Sequence, residues 1–162
     1  MKEKDIYLKE MAKTQRGKMK KKLLKWGGTL DFCKRKQDEI GKLQKMARQF
    51  LQMGEGSPFL GKSSVMLKEA EAFYEKEIER MTESMKRELE EYTKLNSCIE
   101  QLEYEEQRFV KLRYEKGYQY EYIALQTHKS RAKCFRDHDI ILDKLIVLWE
   151  ENFFVPEEPK QS

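Results

Sequence analysis

The stretch that decides the fold is "GYQYEYIALQTHKSRAKCFRDHDIILDKL", residues 117–145. A short aromatic and apolar run is followed by four polar residues, Gln126, Thr127, His128 and Lys129, and then by a run rich in Arg and Lys. The polar break contains neither Pro nor Gly. Gly117 is a helix stop, because glycine accepts the left-handed conformation with which many helices end. Ser130 is a cap for the run that follows. Beyond it, Cys134, His138, Ile141, Leu145 and Leu148 recur at helical spacing and form an inward stripe. Arg131, Ala132, Lys133 and Arg136 fall off that stripe, on the outer side.

The spacing predicts three helices over residues 98–155. One spans 97–117, anchored by Ile99, Leu102, Phe109, Val110 and Leu112. A short second one spans 118–128, with Tyr122, Ile123 and Leu125 inward. The third opens at Ser130 and runs to about Phe153. A short helix, a tight turn and a longer helix is the helix-turn-helix arrangement. Its second helix enters the DNA major groove led by its N-terminal residues. The residue types suit that task. Guanidinium groups of Arg131 and Arg136 match guanine O6 and N7, and Lys129 and Lys133 supply point charges to phosphates. Ala132 is small enough for a deep seat beside a thymine methyl. Ser130 caps the helix and leaves backbone N–H groups for a phosphate. Gln119 and Tyr120, at the start of the short helix, are expected to touch the backbone on the other side.

On these residues the sequence resembles region 4 of bacterial sigma factors. It is more closely similar to the helix-turn-helix end of the RinA/ArpU-type phage and prophage transcriptional regulators. The resemblance rests on Leu112-Arg113-Tyr114, Gly117, Ile123-Ala124, Ser130, Phe135-Arg136, His138 and the tail Leu142 to Leu145. It covers about the last third of the chain. It implies a DNA-binding regulator of phage genes, often an activator of late genes, with Ser130, Arg131, Ala132, Lys133 and Arg136 facing DNA. The chain departs from the pattern in its glycine-free turn, in Asp137 and Asp139 on the reading helix, and in the apolar pair Ile140-Ile141.

The rest of the chain reads as helix. Charged residues make up 38% and there are only three prolines in 162 residues, which favours long amphipathic helices over sheet and sets the class as all-α. Residues 1–28 form a basic arm: positions 1–26 hold ten Lys or Arg against three Asp or Glu. Such an arm is helical, or disordered until it meets a partner, and adds backbone affinity for DNA. Gly27-Gly28 is expected to break it, with Thr29 or Asp31 capping the next helix. Residues 29–97 read as a helical hairpin. Cys33, Ile40 and Ala47 recur every seven residues, with Lys36, Leu43 and Phe50 three residues after each. Ile78, Met85 and Tyr92 do the same in the return helix, with Met81 and Leu95 alternating and Glu88 interrupting. The loop "GEGSPFLGKSS", 54–64, connects them; it follows a helix and lacks phosphate-loop spacing. Seams this narrow commonly bury themselves against a second chain, so the hairpin is the expected site of a homodimer. Residues 156–162 are an acidic or polar tail, and Trp149, Phe153 and Phe154 either dock onto their own domain or offer a patch to host RNA polymerase; we take the first.

Nothing in the spacing points to catalysis, and no cofactor is expected. Cys134 and His138 stand four apart with His128 near in sequence, but a fourth metal ligand is not evident, so a packed cysteine and a hydrogen-bonded histidine are expected instead. The three cysteines, an odd number and widely spaced, read as reduced thiols, and no apolar run approaches membrane-spanning length, so the expected place is the cytoplasm of a bacterial host. Two other function classes fit the pattern less well: a DNA-packaging subunit of the small-terminase type, and a helical scaffold with no DNA role.

Overall fold

The computed structural model describes residues 2–56 and 64–153. The fold is all-α: five helices and, among the described residues, no strand. Helix α1 spans Lys2–Gly56, α2 Ser64–Glu100, α3 Tyr104–Val110, α4 Tyr120–Thr127 and α5 Arg131–Phe153. A π-helical turn, Lys111–Glu115, extends α3. The three prolines, Pro58, Pro156 and Pro159, all lie outside these helices, so α1 and α2 meet no residue that removes a backbone donor. No helix is long and apolar enough to cross a membrane among the described residues.

The chain divides into two compact units, residues 1–28 with 91–162, and residues 29–90. In the first, α1 contributes Met19, Leu23 and Trp26, spaced at one helical face, to a continuous core. Leu95, Cys98 and Ile99 of α2, Leu102 just after it, Phe109, Val110 and Tyr114 of α3 and its extension, Ile123 and Ala124 of α4, and Cys134, Ile141, Leu142 and Leu145 of α5 complete it. The indole N–H of Trp26 donates to Asn96 Oδ1 at 3.3 Å, and its ring stacks on Tyr92 with centroids 6.0 Å apart. Lys22 places its ammonium 3.9 Å from the Trp149 ring centre, and Trp149 packs on Phe153. The C-terminal aromatics thus dock onto their own unit; Phe154 and the tail 156–162 lie outside the described residues.

Several expectations need correction. The basic segment 1–28 is neither a free arm nor closed off by Gly27-Gly28: α1 runs through both glycines, so neither Thr29 nor Asp31 starts a helix. Gly27 answers a packing demand. A Cβ there would land on the carbonyl oxygen of Tyr114, with the carbonyl carbon 2.7 Å away. The close approach of two backbones excludes any side chain. Gly28 has open space around its missing Cβ. The helix expected over 97–117 is two. Residues 97–100 end α2, and α3 starts afresh after Glu103, whose side chain receives the Glu106 backbone N–H while the Glu106 carboxylate accepts from the Glu103 N–H. That reciprocal cap uses Glu in place of the usual Ser or Thr. Of the loop expected at 54–64, Gly54, Gly56 and Ser64 belong to helices, and 57–63 lie outside the described residues.

The unit of residues 29–90 is built differently. Leu43, Ala47 and Phe50 of α1 and Ile78, Met81 and Met85 of α2 are half-buried, at the heptad positions read from the sequence, and Tyr74, seven residues before Met81, is half-buried with them. Among its described residues only Thr29 and Cys33 are buried. Burial and the nearby charge of Glu88 push the Cys33 thiol pKa up.

Candidate nucleic-acid interface

The turn between α4 and α5 is made without glycine because His128 takes the left-handed conformation, φ 56° and ψ 40°. The His128 and Lys129 N–H groups both donate to the Ala124 carbonyl, closing the end of α4. Ser130 then opens α5: its Oγ accepts from the Lys133 N–H at 3.1 Å, and its carbonyl accepts from the Cys134 N–H at 3.1 Å. These are the two bonds of an N-cap. Upstream, Gly117 sits at φ 71° and the Tyr118 N–H donates to the Leu112 carbonyl, so the expected glycine stop is in place.

On α5, Cys134, His138, Ile141, Leu142 and Leu145 are buried, while Ser130, Arg131, Ala132, Lys133 and Arg136 are exposed. The cations are not equivalent. Arg131 Nε lies 3.2 Å from Glu121 on α4, and its guanidinium stands over the Phe135 ring. Lys129, half-buried, pairs with Asp137 at 3.3 Å. Lys133 and Arg136 form no ion pair among the described residues. The acids that seemed at odds with a phosphate-facing helix are therefore engaged. Asp137 holds Lys129, and Asp139 and Asp143 face Arg16 of α1, which donates to both Asp143 oxygens at 2.9 and 2.8 Å and lies 3.7 Å from Asp139. This fork lowers the pKa of the Asp143 carboxyl through its hydrogen bonds from Arg16.

The two residues expected at the start of α4 separate. Gln119 is exposed and precedes the first helical residue in extended conformation, without a side-chain cap bond. The hydroxyl of Tyr120 points inward, 2.8 Å from His138 Nδ1. Its ring stacks on Phe135 at 4.2 Å and lies under the Arg113 guanidinium at 4.6 Å. That hydroxyl is thus already bonded within the core. The inward set of α4 is also corrected. Ile123 and Ala124 are buried, whereas Tyr122 and Leu125 are 44% and 74% exposed. A helix of eight residues carries too few turns for its pattern to fix the phase.

His138 ties the site together. Tyr114 Oη is 2.6 Å from Nε2 and Tyr120 Oη is 2.8 Å from Nδ1, so α5 is bonded to both the π turn and α4. A neutral imidazole has one donor and one acceptor nitrogen, which these hydroxyls satisfy, one accepting and one donating. Burial first, then the charges of Lys20 and Arg113 against the opposing Asp139, push its pKa down to about 4. Burial likewise raises the pKa of the Tyr114 hydroxyl. The roles of Arg113, Glu121 and Arg16 were not read from the sequence; the partners that define them lie on other helices. Among the described residues no group of three or more His, Cys, Asp or Glu side chains is placed to hold a metal ion.

Compared with protein-family models, with curated proteins and with solved structures, the chain has no match.

Proposed function

We propose that the chain is a sequence-specific DNA-binding regulator of transcription, acting on phage or prophage genes as an activator of late expression. In this reading α4 and α5 are the two helices of a helix-turn-helix, and residues 29–90 are an antiparallel helical hairpin. One observation carries it. Ala132, Lys133 and Arg136 are exposed together in the first turns of a serine-capped helix whose other face is locked into the core. A rigid helix that presents a small residue beside two unpaired cations is what a major groove accepts. The hairpin part rests on the half-buried heptad seam and on the charge of Glu88 reaching Cys33. Exposed lysines of α1, Lys18 and Lys21 among them, add attraction to phosphates that salt screens.

The test is selection from random duplex DNA, with the Lys133→Ala/Arg136→Ala protein as control. The wild type enriches a motif and the double variant loses it. Arg136→Ala alone costs about 1–3 kcal/mol at the selected site and relaxes one base position. Absence of enrichment by the wild type rejects the reading.

A further inference from the structure

The hairpin unit leaves one flank apolar. Met46 and Met53 of α1, seven residues apart, are 50% and 66% exposed. Phe73 of α2 is 60% exposed, and Met66, seven residues before it, is exposed as well. At ~100° per residue these positions stand about 90° from the half-buried seam of their own helix, and on the same side of each. In an antiparallel pair, equal offsets of one sign put both pairs on one flank of the hairpin. The opposite flank carries exposed Gln44 and half-buried Leu51 of α1 and exposed Lys68 and Glu75 of α2 at the same levels.

Charge says what covers that flank. Residues 41–53 of α1 hold three Lys or Arg and no acid. Residues 66–79 of α2 hold five Glu and two Lys. The two helices bordering one apolar flank are thus about +3 and −3. A surface that carries both signs beside one apolar strip is complementary to itself when turned by a two-fold axis. With α1 laid on the partner's α2, basic meets acidic twice; with α1 on α1, like charges meet. We infer that this flank binds a second copy of the chain, α1 of one across α2 of the other, so that Met46, Met53 and Phe73 form the centre of a four-helix dimer core. The inference rests on the hairpin part of the proposed function and not on DNA binding.

Sedimentation equilibrium of the full chain without DNA tests it. A mass of twice 19.6 kDa is expected at micromolar concentration. Phe73→Glu gives a monomer with its helical circular dichroism retained. Lys42→Glu/Lys45→Glu and Glu69→Lys/Glu77→Lys each weaken the dimer at least tenfold, and an equimolar mixture of the two restores it, since each then offers the other the opposite charge on both helices. A monomeric wild type, a ring of many subunits, a dimer unmoved by Phe73→Glu, or a mixture no tighter than its components overturns the inference. An intrachain disulfide in Ile40→Cys/Met81→Cys checks the hairpin by itself. These positions lie seven residues along from Cys33 and seven back from Glu88, so failure of that bond, in a protein of unchanged helicity, points to the hairpin and not to the dimer.

Discussion

The two units share one helix content and differ in what holds them. In residues 1–28 with 91–153, sixteen apolar side chains, from the five helices, the π-helical turn and Leu102 between α2 and α3, are buried in one cluster. In residues 29–90 the described helices bury Thr29 and Cys33 and leave a seam of half-covered side chains. The first is a core in the ordinary sense, where each lost methylene leaves a cavity. The second is a line of contacts along which a truncated side chain is open to water already. The difference teaches that a heptad pattern announces where helices meet but says little about how much they bury.

The comparison breaks most directly with matched truncations. Leu142, 0% exposed, loses about 3–5 kcal/mol of stability on Leu142→Ala. Leu43, half-buried on the seam, loses about 1 kcal/mol on Leu43→Ala. Urea unfolding of the two variants measures both. Equal losses mean that the seam is as well packed as the core, and the distinction falls.

Gly27 and Gly28 sharpen it next. Gly27→Ala drives a methyl group into the Tyr114 carbonyl and costs about 3 kcal/mol, since backbone and not a flexible side chain must move. Gly28→Ala meets nothing and gains about 0.5–1 kcal/mol from helix propensity. Adjacent substitutions of opposite sign, read from thermal melts, separate a packing glycine from a helix breaker. The sequence alone invites the wrong choice. A Gly-Gly pair in a polar run is a turn signal, and the atom that demands the glycine is Tyr114, far along the chain.

A proton probes the core from within. His138 is neutral in the fold and has a pKa of about 4, against 6.5 in the unfolded chain. Between these values the unfolded state binds the proton and the folded state does not. The stability this histidine confers is therefore complete above pH 6.5 and is lost as pH falls toward 4, by up to about 3 kcal/mol. His138→Gln, which cannot titrate, flattens that part of the pH–stability curve. An unchanged curve assigns the acid sensitivity to the carboxylates.

Much of the candidate site was legible because its signals are local. Ser130 caps the bonds three and four residues on, Gly117 takes the left-handed angle, and the outward set Arg131, Ala132, Lys133 and Arg136 follows from the phase of a long helix. What was not legible depends on partners distant in sequence or on elements too short to set a phase. Tyr120 turns inward because His138 waits there, and Arg131 has Glu121 as a partner on another helix. Tyr122 and Leu125 face out because the eight residues of α4 follow the packing of Ile123 and Ala124.

The smallest expected effect falls on the turn. His128 holds φ 56°, where a side chain's Cβ crowds the backbone, at a cost of about 1–2 kcal/mol. Glycine escapes that cost but makes the unfolded chain more flexible, which returns about 0.5–1 kcal/mol. His128→Gly therefore stabilises the protein by about 0.5 kcal/mol, a shift that a chemical-denaturation midpoint resolves. His128→Val, with a branched side chain that the left-handed region rejects, destabilises it by more than glycine gains. Because the same angle aims the first turn of α5, the proposed DNA-binding function has the valine variant also lower affinity for a selected duplex while the glycine variant leaves it unchanged. Equal stability in both variants would show that the turn tolerates another backbone path, and that the geometry between α4 and α5 is set by the His138 bonds alone.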